Sequence, residues 1–287
     1  MERELYRQLY RIVWPMGNRF HCPGTRHPTW RIVMVYFWAV LHDRPISWAT
    51  QAHHWPTRTR LPSDATMSRR LRDARMIAMI HQVSLHIRKL LKPDPSVLML
   101  DGKPLPIGGL GEDPDATVGY GAGKFCRGYK LHTMCDQHGV PVAWTVRSMR
   151  EAEWKVAGDL VVLLPPGKGY IVADGNYDKT SLYDLTGPRN RHLIAPRRRG
   201  RDFGHRPQSP HRLRALSLDE ALRQRLLSQR GAIERMFANL CNAGGALAPL
   251  GAWVRRQHRV ELWVEAKMIL YCLRMLLRRR NIAMEVA

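Results

Sequence analysis

Two short stretches of the chain each end an apolar run on a carboxylate. In "VLMLDGK" the run stops at Asp101, with Gly102 after it, and in "YIVADGNYD" it stops at Asp174, with Gly175 after it. A third acid, Glu234, follows Arg230 at i, i+4 in "QRGAIERMFANL". In α/β sheets, functional groups gather outside the carboxyl ends of strands, so two neighbouring strands would bring Asp101 and Asp174 together. Converging carboxylates repel unless a cation lies between them, and hard oxygen donors suit Mg2+ or Mn2+. With Glu234 as third donor, the set would hold two divalent ions about 3.5–4 Å apart, the arrangement that serves in-line displacement at phosphorus. Plainer readings stand beside this one. Asp-Gly after an apolar run is a turn signature, and an Arg/Glu pair at i, i+4 is commonly a surface salt bridge. Of the other acids near strand ends, Asp136 belongs to a hairpin turn and Asp178 starts the following helix.

The elements that must position these acids are strands after residue 96 and helices before it. "WRIVMVYFWAVLHDR" (30–44) is apolar nearly all round and predicts a core helix, ended by Pro45. "ISWATQAHHW" (46–55) predicts a short helix. After it, "SDATMSRRLRDARMIAMIHQVSLHIRKLL" predicts one helix capped by Ser63. Its first turns carry Arg69, Arg70 and Arg72, so the pair reads either as a helix-turn-helix, with the basic helix in a DNA groove, or as a solvated basic helix in an all-α domain. The proline segment "KPDPS" (92–96) separates residues 1–92, a helical region, from 93–287. Beyond it, "VLML" (97–100) reads as a buried strand, and "YKLHTMC" (129–135) and "VPVAWTV" (140–146) as a hairpin about "DQHG", with Val140, Val142, Trp144 and Val146 on one face. A helix at 151–164, a strand at 170–174, a helix at 179–185 and a strand at 192–196 follow. A loop rich in arginine covers 197–214, and helices at 217–240 and 258–280 complete the chain. The order predicts a mixed α/β sheet with flanking helices behind an all-α region.

Charge narrows the partner. The 287 residues hold 46 Lys plus Arg against 24 Asp plus Glu, a formal net of +22. An excess this large points to a polyanion, and the preference for Arg supplies planar forks suited to phosphate oxygens. No apolar run reaches the roughly 18 residues a membrane span needs. "MERELYRQLY" does not resemble a signal peptide, and the reading places the protein in the cytoplasm, near nucleic acid. Five cysteines without regular spacing do not form a disulfide framework. "HCPGTRH" (21–27) with His53 and His54 lacks a Cys-x-x-Cys pair and reads as a loop rather than a zinc site. "GYGAGKF" (119–125) lacks the spacing of a phosphate loop and reads as a flexible segment before a strand.

Read together and in order, "VLMLDGKPL", "GYKLHTMCDQHGVPVAW", "IVADGNYD", "LIAPRRRG" and "QRGAIERMFANL" resemble the DDE-class transposases of bacterial insertion sequences, over about residues 96–277. The resemblance implies a ribonuclease H-like fold for residues 93–287, catalytic Asp101, Asp174 and Glu234 holding two Mg2+ (or Mn2+) ions, and Arg230 orienting Glu234 or contacting a phosphate. It also implies a helical signature of Tyr, two residues, Arg, three residues, Glu, six residues, Lys. Here Arg230 and Glu234 match, while Leu227 and Cys241 stand where Tyr and Lys would contact the transposon end. The activity implied is hydrolysis at the element's ends, then attack of the freed 3′-hydroxyl on target DNA, by a homodimer on double-stranded DNA. Residues expected on the DNA are Arg69, Arg70, Arg72, Lys130, Tyr177, Arg197, Arg198, Arg199 and Arg201. The alternatives are a catalytically silent, transposase-derived DNA-binding regulator, a nuclease on the same scaffold that cuts without joining, and a basic RNA-binding protein, which leaves the acids unexplained.

Overall fold

The structure, a computed structural model, describes residues 2–57, 59–108, 112–121, 123–197, 208–242 and 247–285. Two units divide the chain: Met1–Lys92, Gly108–Gly111 and Asn239–Ala287 form one, and Pro93–Ile107 and Glu112–Ala238 the other. No helix among the described residues is long and apolar enough to cross a membrane.

The first unit begins with α1 (Glu2–Met16) and α2 (Thr29–Leu41). In α1 only Leu5, Leu9 and Val13 are buried, one narrow stripe at helical spacing. In α2, 11 of the 13 residues are buried, as its apolar circumference requires. The expected second helix shrinks to α3 (Ile46–Ala49), followed by one 3-10 turn at Ala52–His54. The single helix expected from Ser63 is two, α4 (Asp64–Arg70) and α5 (Ala74–Leu91). Ser63 caps α4 by accepting from the Thr66 N–H, and Asp73 starts α5 by accepting from the Arg75 N–H at 2.8 Å. A second capping residue inside the run is what breaks it.

That break places the arginines differently. Arg69 and Arg72 are exposed. Arg70, expected on DNA, is only 4% exposed and donates to the His27 carbonyl (3.0 Å) and the Thr29 hydroxyl (2.9 Å). It is a strut between α4 and the start of α2, and that expectation is corrected. Arg70→Ala should lower the stability of this unit by about 2–4 kcal/mol, because buried acceptors lose a charged donor. Arg69→Ala should stay within about 0.5 kcal/mol. Urea unfolding of the two variants checks both figures.

The second unit is built on a mixed six-stranded sheet. Its strands are β1 (Val97–Pro106), β2 (Thr117–Gly121), β3 (Lys124–Asp136), β4 (Pro141–Ser148), β5 (Gly169–Val172) and β6 (Arg191–Ile194), in the order β2-β3-β1-β5-β6 with β4 also on β3. β3 is antiparallel to β1, β2 and β4, whereas β1, β5 and β6 run parallel. The segment expected to be flexible before β3 is instead the β2–β3 hairpin. The pairing of β4 with β3 shifts register at Met134/Cys135 of β3. As a result Pro141, Ala143 and Val146 are buried, while Val142 and Trp144 are only half-buried, against the simple alternation expected. Asp136 closes the β3–β4 turn, accepting from the His138 and Val140 N–H groups, and accepts from the Asp94 N–H ahead of β1.

Around the sheet lie α6 (Glu153–Val162), α7 (Thr180–Thr186), α8 (Pro210–Leu216), α9 (Glu220–Ser228) and α10 (Gly231–Asn242). The expected 217–240 helix is interrupted at Gln229–Arg230, where Arg230, Ala232 and Ile233 donate to carbonyls three residues back. Arg191, 1% exposed, donates to the Pro95 (2.7 Å) and Pro165 (3.2 Å) carbonyls and so staples the entry of β6 to the approaches of β1 and β5. The final helix, α11 (Gln257–Glu285), packs on α5, α1 and α2 in the first unit. Within it Lys267 is buried and donates to the Val40 carbonyl and the Asp43 carboxylate.

Candidate active site

The parallel register of β1 and β5 decides where the first two acids meet. The paired residues are Val97↔Tyr170, Leu98↔Ile171 and Met99↔Val172. Asp101 and Asp174 each lie two residues past the last pair. The neighbouring strands therefore carry their carboxylates to the same level of the same sheet edge. β1 continues to Pro106 along β3, so Asp101 is not the strand's last residue. It is the point at which β1 loses its parallel neighbour, and that loss opens the site.

Both carboxylates are oriented by local hydrogen bonds. Asp101 Oδ1 accepts from the Gly102 N–H at 2.7 Å. Asp174 caps the 3-10 turn Gly175–Tyr177, accepting from the Asn176 N–H at 2.8 Å and from the Asn176 amide at 3.2 Å. Burial is the main force that pushes Asp101 up, from an ordinary 3.8 to about 6; the Asp174 and Glu153 charges add to it, and the Gly102 hydrogen bond and Arg230 oppose it. Glu234 lies in the first turn of α10, exposed, with Oε1 accepting from Arg230 Nη2 at 3.0 Å. Arg230 thus contacts Glu234 while its charge is felt at Asp101. Asp101 and Asp174 come together. Glu234 is engaged with Arg230 rather than with them, and among the described residues no three of His, Cys, Asp and Glu are gathered closely enough to hold a metal.

The pair nonetheless fits a hard divalent ion. Its donors are all carboxylate oxygens, and one of them is held toward its neutral form by burial and by the other's charge. A cation at the pair would offset both effects.

Behind the pair lies a group the sequence reading did not find. Lys130, expected on DNA, is 6% exposed, and its Nζ contacts Glu153 Oε1 at 2.6 Å, in the first turn of α6. Tyr177, also expected on DNA, is 0% exposed, and its hydroxyl has no hydrogen-bond partner among the described residues. Both assignments are corrected: these side chains are beneath the surface and do not present themselves to a strand of DNA. His132, fully buried opposite Gly102, is pushed down to about 3 by burial and by the Lys130 and Arg147 charges, so its ring is neutral. A side chain at Gly102 would meet Lys130, Glu153 and His132 at about 3.1–3.5 Å, so a methyl there would need the Lys130 stem to give by a few tenths of an ångström. The signal available in sequence was the i, i+2 pair Lys130 and His132 on β3. Its partner Glu153 lies 23 residues away, across a hairpin.

Asp178, expected to start a helix, is buried instead and takes both forks of Arg212, at 2.8 and 2.9 Å. Arg197 is exposed, whereas Arg198, Arg199 and Arg201 lie outside the described residues.

The Asp101 shift has a sign that can be measured. The folded chain holds this proton more tightly than the unfolded chain, so stability is highest below about pH 4, falls as pH rises to about 6, and is level above. Without divalent ions, Asp101→Asn should therefore raise the melting temperature at pH 8 and leave it nearly unchanged at pH 4. The rise from 3.8 to about 6 corresponds to at most about 3 kcal/mol. Thermal unfolding at the two pH values in a chelator reads the difference; equal gains at both would remove burial of a charge as the cause.

Against known proteins, a family model described as "Transposase DDE domain" matches residues 92–273. No curated protein and no solved structure matches the chain. The match spans the whole sheet and reaches into α11, and the mixed sheet with flanking helices is the ribonuclease H-like fold expected of it.

Proposed function

The chain belongs to the transposase DDE domain family, and on that premise we propose that it binds the ends of an insertion sequence, cuts them, and joins the freed 3′-hydroxyl to target DNA. The observation that carries the reading is the register placing Asp101 and Asp174 side by side, two residues beyond Met99↔Val172. Asp101, Asp174 and Glu234 would hold two Mg2+ or Mn2+ ions, which supply activation of the attacking oxygen and stabilisation of the leaving one. In the first step a water oxygen attacks phosphorus at the element's end, and the element's 3′ oxygen leaves as a hydroxyl. In the second that hydroxyl attacks a target phosphodiester, and the target's own 3′ oxygen leaves.

The chain's residues prepare both steps. Asn176 and the Gly102 N–H fix the direction of the two aspartates before substrate arrives. Arg230 donates to Glu234 at 3.0 Å and can exchange that partner for a phosphate. Arg69, Arg72 and Arg197 are exposed and would contact the DNA backbone, giving affinity with little sequence information. Arg198, Arg199 and Arg201 extend that series in sequence. Pairing two ends calls for two copies of the chain, and the setting is the bacterial cytoplasm, on the nucleoid.

A second reading, a silent DNA-binding regulator, is favoured by Leu227 and Cys241 at the signature's Tyr and Lys positions and by Glu234's engagement with Arg230. A strand-transfer assay separates the two. DNA carrying the repeats that flank the gene is supplied with Mg2+ or Mn2+ to the protein and to Glu234→Gln. Joined products that vanish in the variant support the transposase. Binding without cutting or joining by the unaltered protein supports the regulator.

A further inference from the structure

In α1, Arg3, Arg7, Tyr10 and Trp14 recur at helical spacing on a stripe of their own, separate from the buried Leu5, Leu9 and Val13. Large aromatics on an exposed stripe call for a partner. Tyr10 is 40% exposed and Trp14 55%. Their rings lie near parallel, 6.4 Å apart, and Tyr10 meets the edge of Trp30 at 5.9 Å. The stripe opens onto a cleft of about 430 Å³ within the helical unit. Further in, Trp38 and Trp55 stack at 5.0 Å with Tyr6 edge-on. Both indole N–H groups already have carbonyl acceptors, on His54 and Ala49, so these two rings form a satisfied wall rather than a polar recognition site. The charged residues lining the cleft are Arg3, Arg7 and Arg31; Arg7 is paired with the Glu4 carboxylate at 2.9 Å, a partner that a phosphate would displace. The Arg31 guanidinium sits 5.1 Å from the Trp30 ring centre.

We infer that this cleft binds unpaired nucleotides, with bases stacked on Tyr10 and Trp30 and on Trp14, which lies against Tyr10 just outside the lining, and phosphates at Arg3, Arg7 and Arg31. Aromatic faces interleaved with cations fit a single strand, whose bases are free to stack. A duplex keeps its bases inside and would leave the aromatic faces idle. A second copy of the chain, docking the same face, would oppose the three arginines to their own copies. The inference rests on the reading that the protein handles DNA, but the cleft lies in the helical unit and needs no divalent ion.

The test measures fluorescence anisotropy in a chelator, so that loss of cutting and loss of this site cannot be confused. The full chain is titrated against labelled oligothymidylate, an abasic strand of the same length, and a duplex. Tyr10→Ala/Trp14→Ala, at exposed positions, should bind oligothymidylate about tenfold more weakly, the size expected for a lost stacked base. Its affinity for the abasic strand and the duplex should stay as in the unaltered protein, and Tyr10→Phe should restore binding to the thymidylate strand. Unchanged affinity for oligothymidylate, or an equal loss on all three probes, would overturn the inference. So would sedimentation showing that the double variant turns a dimer into a monomer while strand affinity is kept, which would make the face a contact between copies.

Discussion

Asp174→Asn is expected to lower DNA cutting and joining by at least about a thousandfold, equivalent to about 4 kcal/mol of barrier, with the fold and DNA-end binding retained. The reason is specific to the position. The Asn176 N–H bonds to one carboxylate oxygen of Asp174, and an asparagine keeps one oxygen to accept it. The turn at Gly175–Tyr177 therefore stays capped, while the negative charge that pairs with Asp101 is gone. Gel-shift affinity, melting temperature and single-turnover cleavage are to be measured together. A thousandfold loss of chemistry with the first two unchanged places Asp174 at the reacting phosphate. A parallel loss of end binding would make it a structural or DNA-positioning residue instead.

The second large effect is on stability. Arg212 and Asp178 are 2% and 5% exposed, and two hydrogen bonds join them. Ser209, which caps α8, contacts the Asp184 carboxylate and so ties the same loop back to α7. Removing one member of a buried pair leaves the other charge without compensation, at about 3–5 kcal/mol. Arg212→Ala should therefore lower the melting temperature by roughly 10 °C, at about 2–4 °C per kcal/mol for a unit of this size. The double replacement Arg212→Met/Asp178→Leu should recover much of that loss, since two apolar groups leave no charge stranded. If the double variant is as unstable as the single, the pair contributes through its geometry and not through the burial of charge.

The two aspartates were legible because the apolar runs before them have the length of buried strands and stop at the same kind of residue. That the strands are neighbours, and in which register, came only from the structure. Helix interruptions were harder to read. Asp73 is a capping residue in plain view, but the apolar spacing across it is continuous, and periodicity outweighed a single cap. The same holds at Gln229–Arg230, where the apolar positions Leu226 and Ile233 bridge the break. Arg70, Lys130 and Arg212 show the main limit. Each looks like its exposed neighbours in a basic stretch, and each is buried because an acceptor waits far along the chain: the His27 carbonyl, Glu153 and Asp178. Composition gives the sign of the surface but not which cations leave it. Glu153 went unnoticed for the same reason, since its role depends on a strand 23 residues earlier.

A change of metal preference is the sharpest test of the proposal that Asp101 and Asp174 hold the ions that drive strand chemistry. Asp174→Cys replaces a hard oxygen donor with a thiolate, which Mg2+ accepts poorly and Mn2+ accepts better. This variant should join no ends in Mg2+ and regain joining in Mn2+, whereas Asp174→Asn should stay silent in both. Activity of Asp174→Cys that is the same in both metals, whether retained or lost, would contradict a ligand role for Asp174.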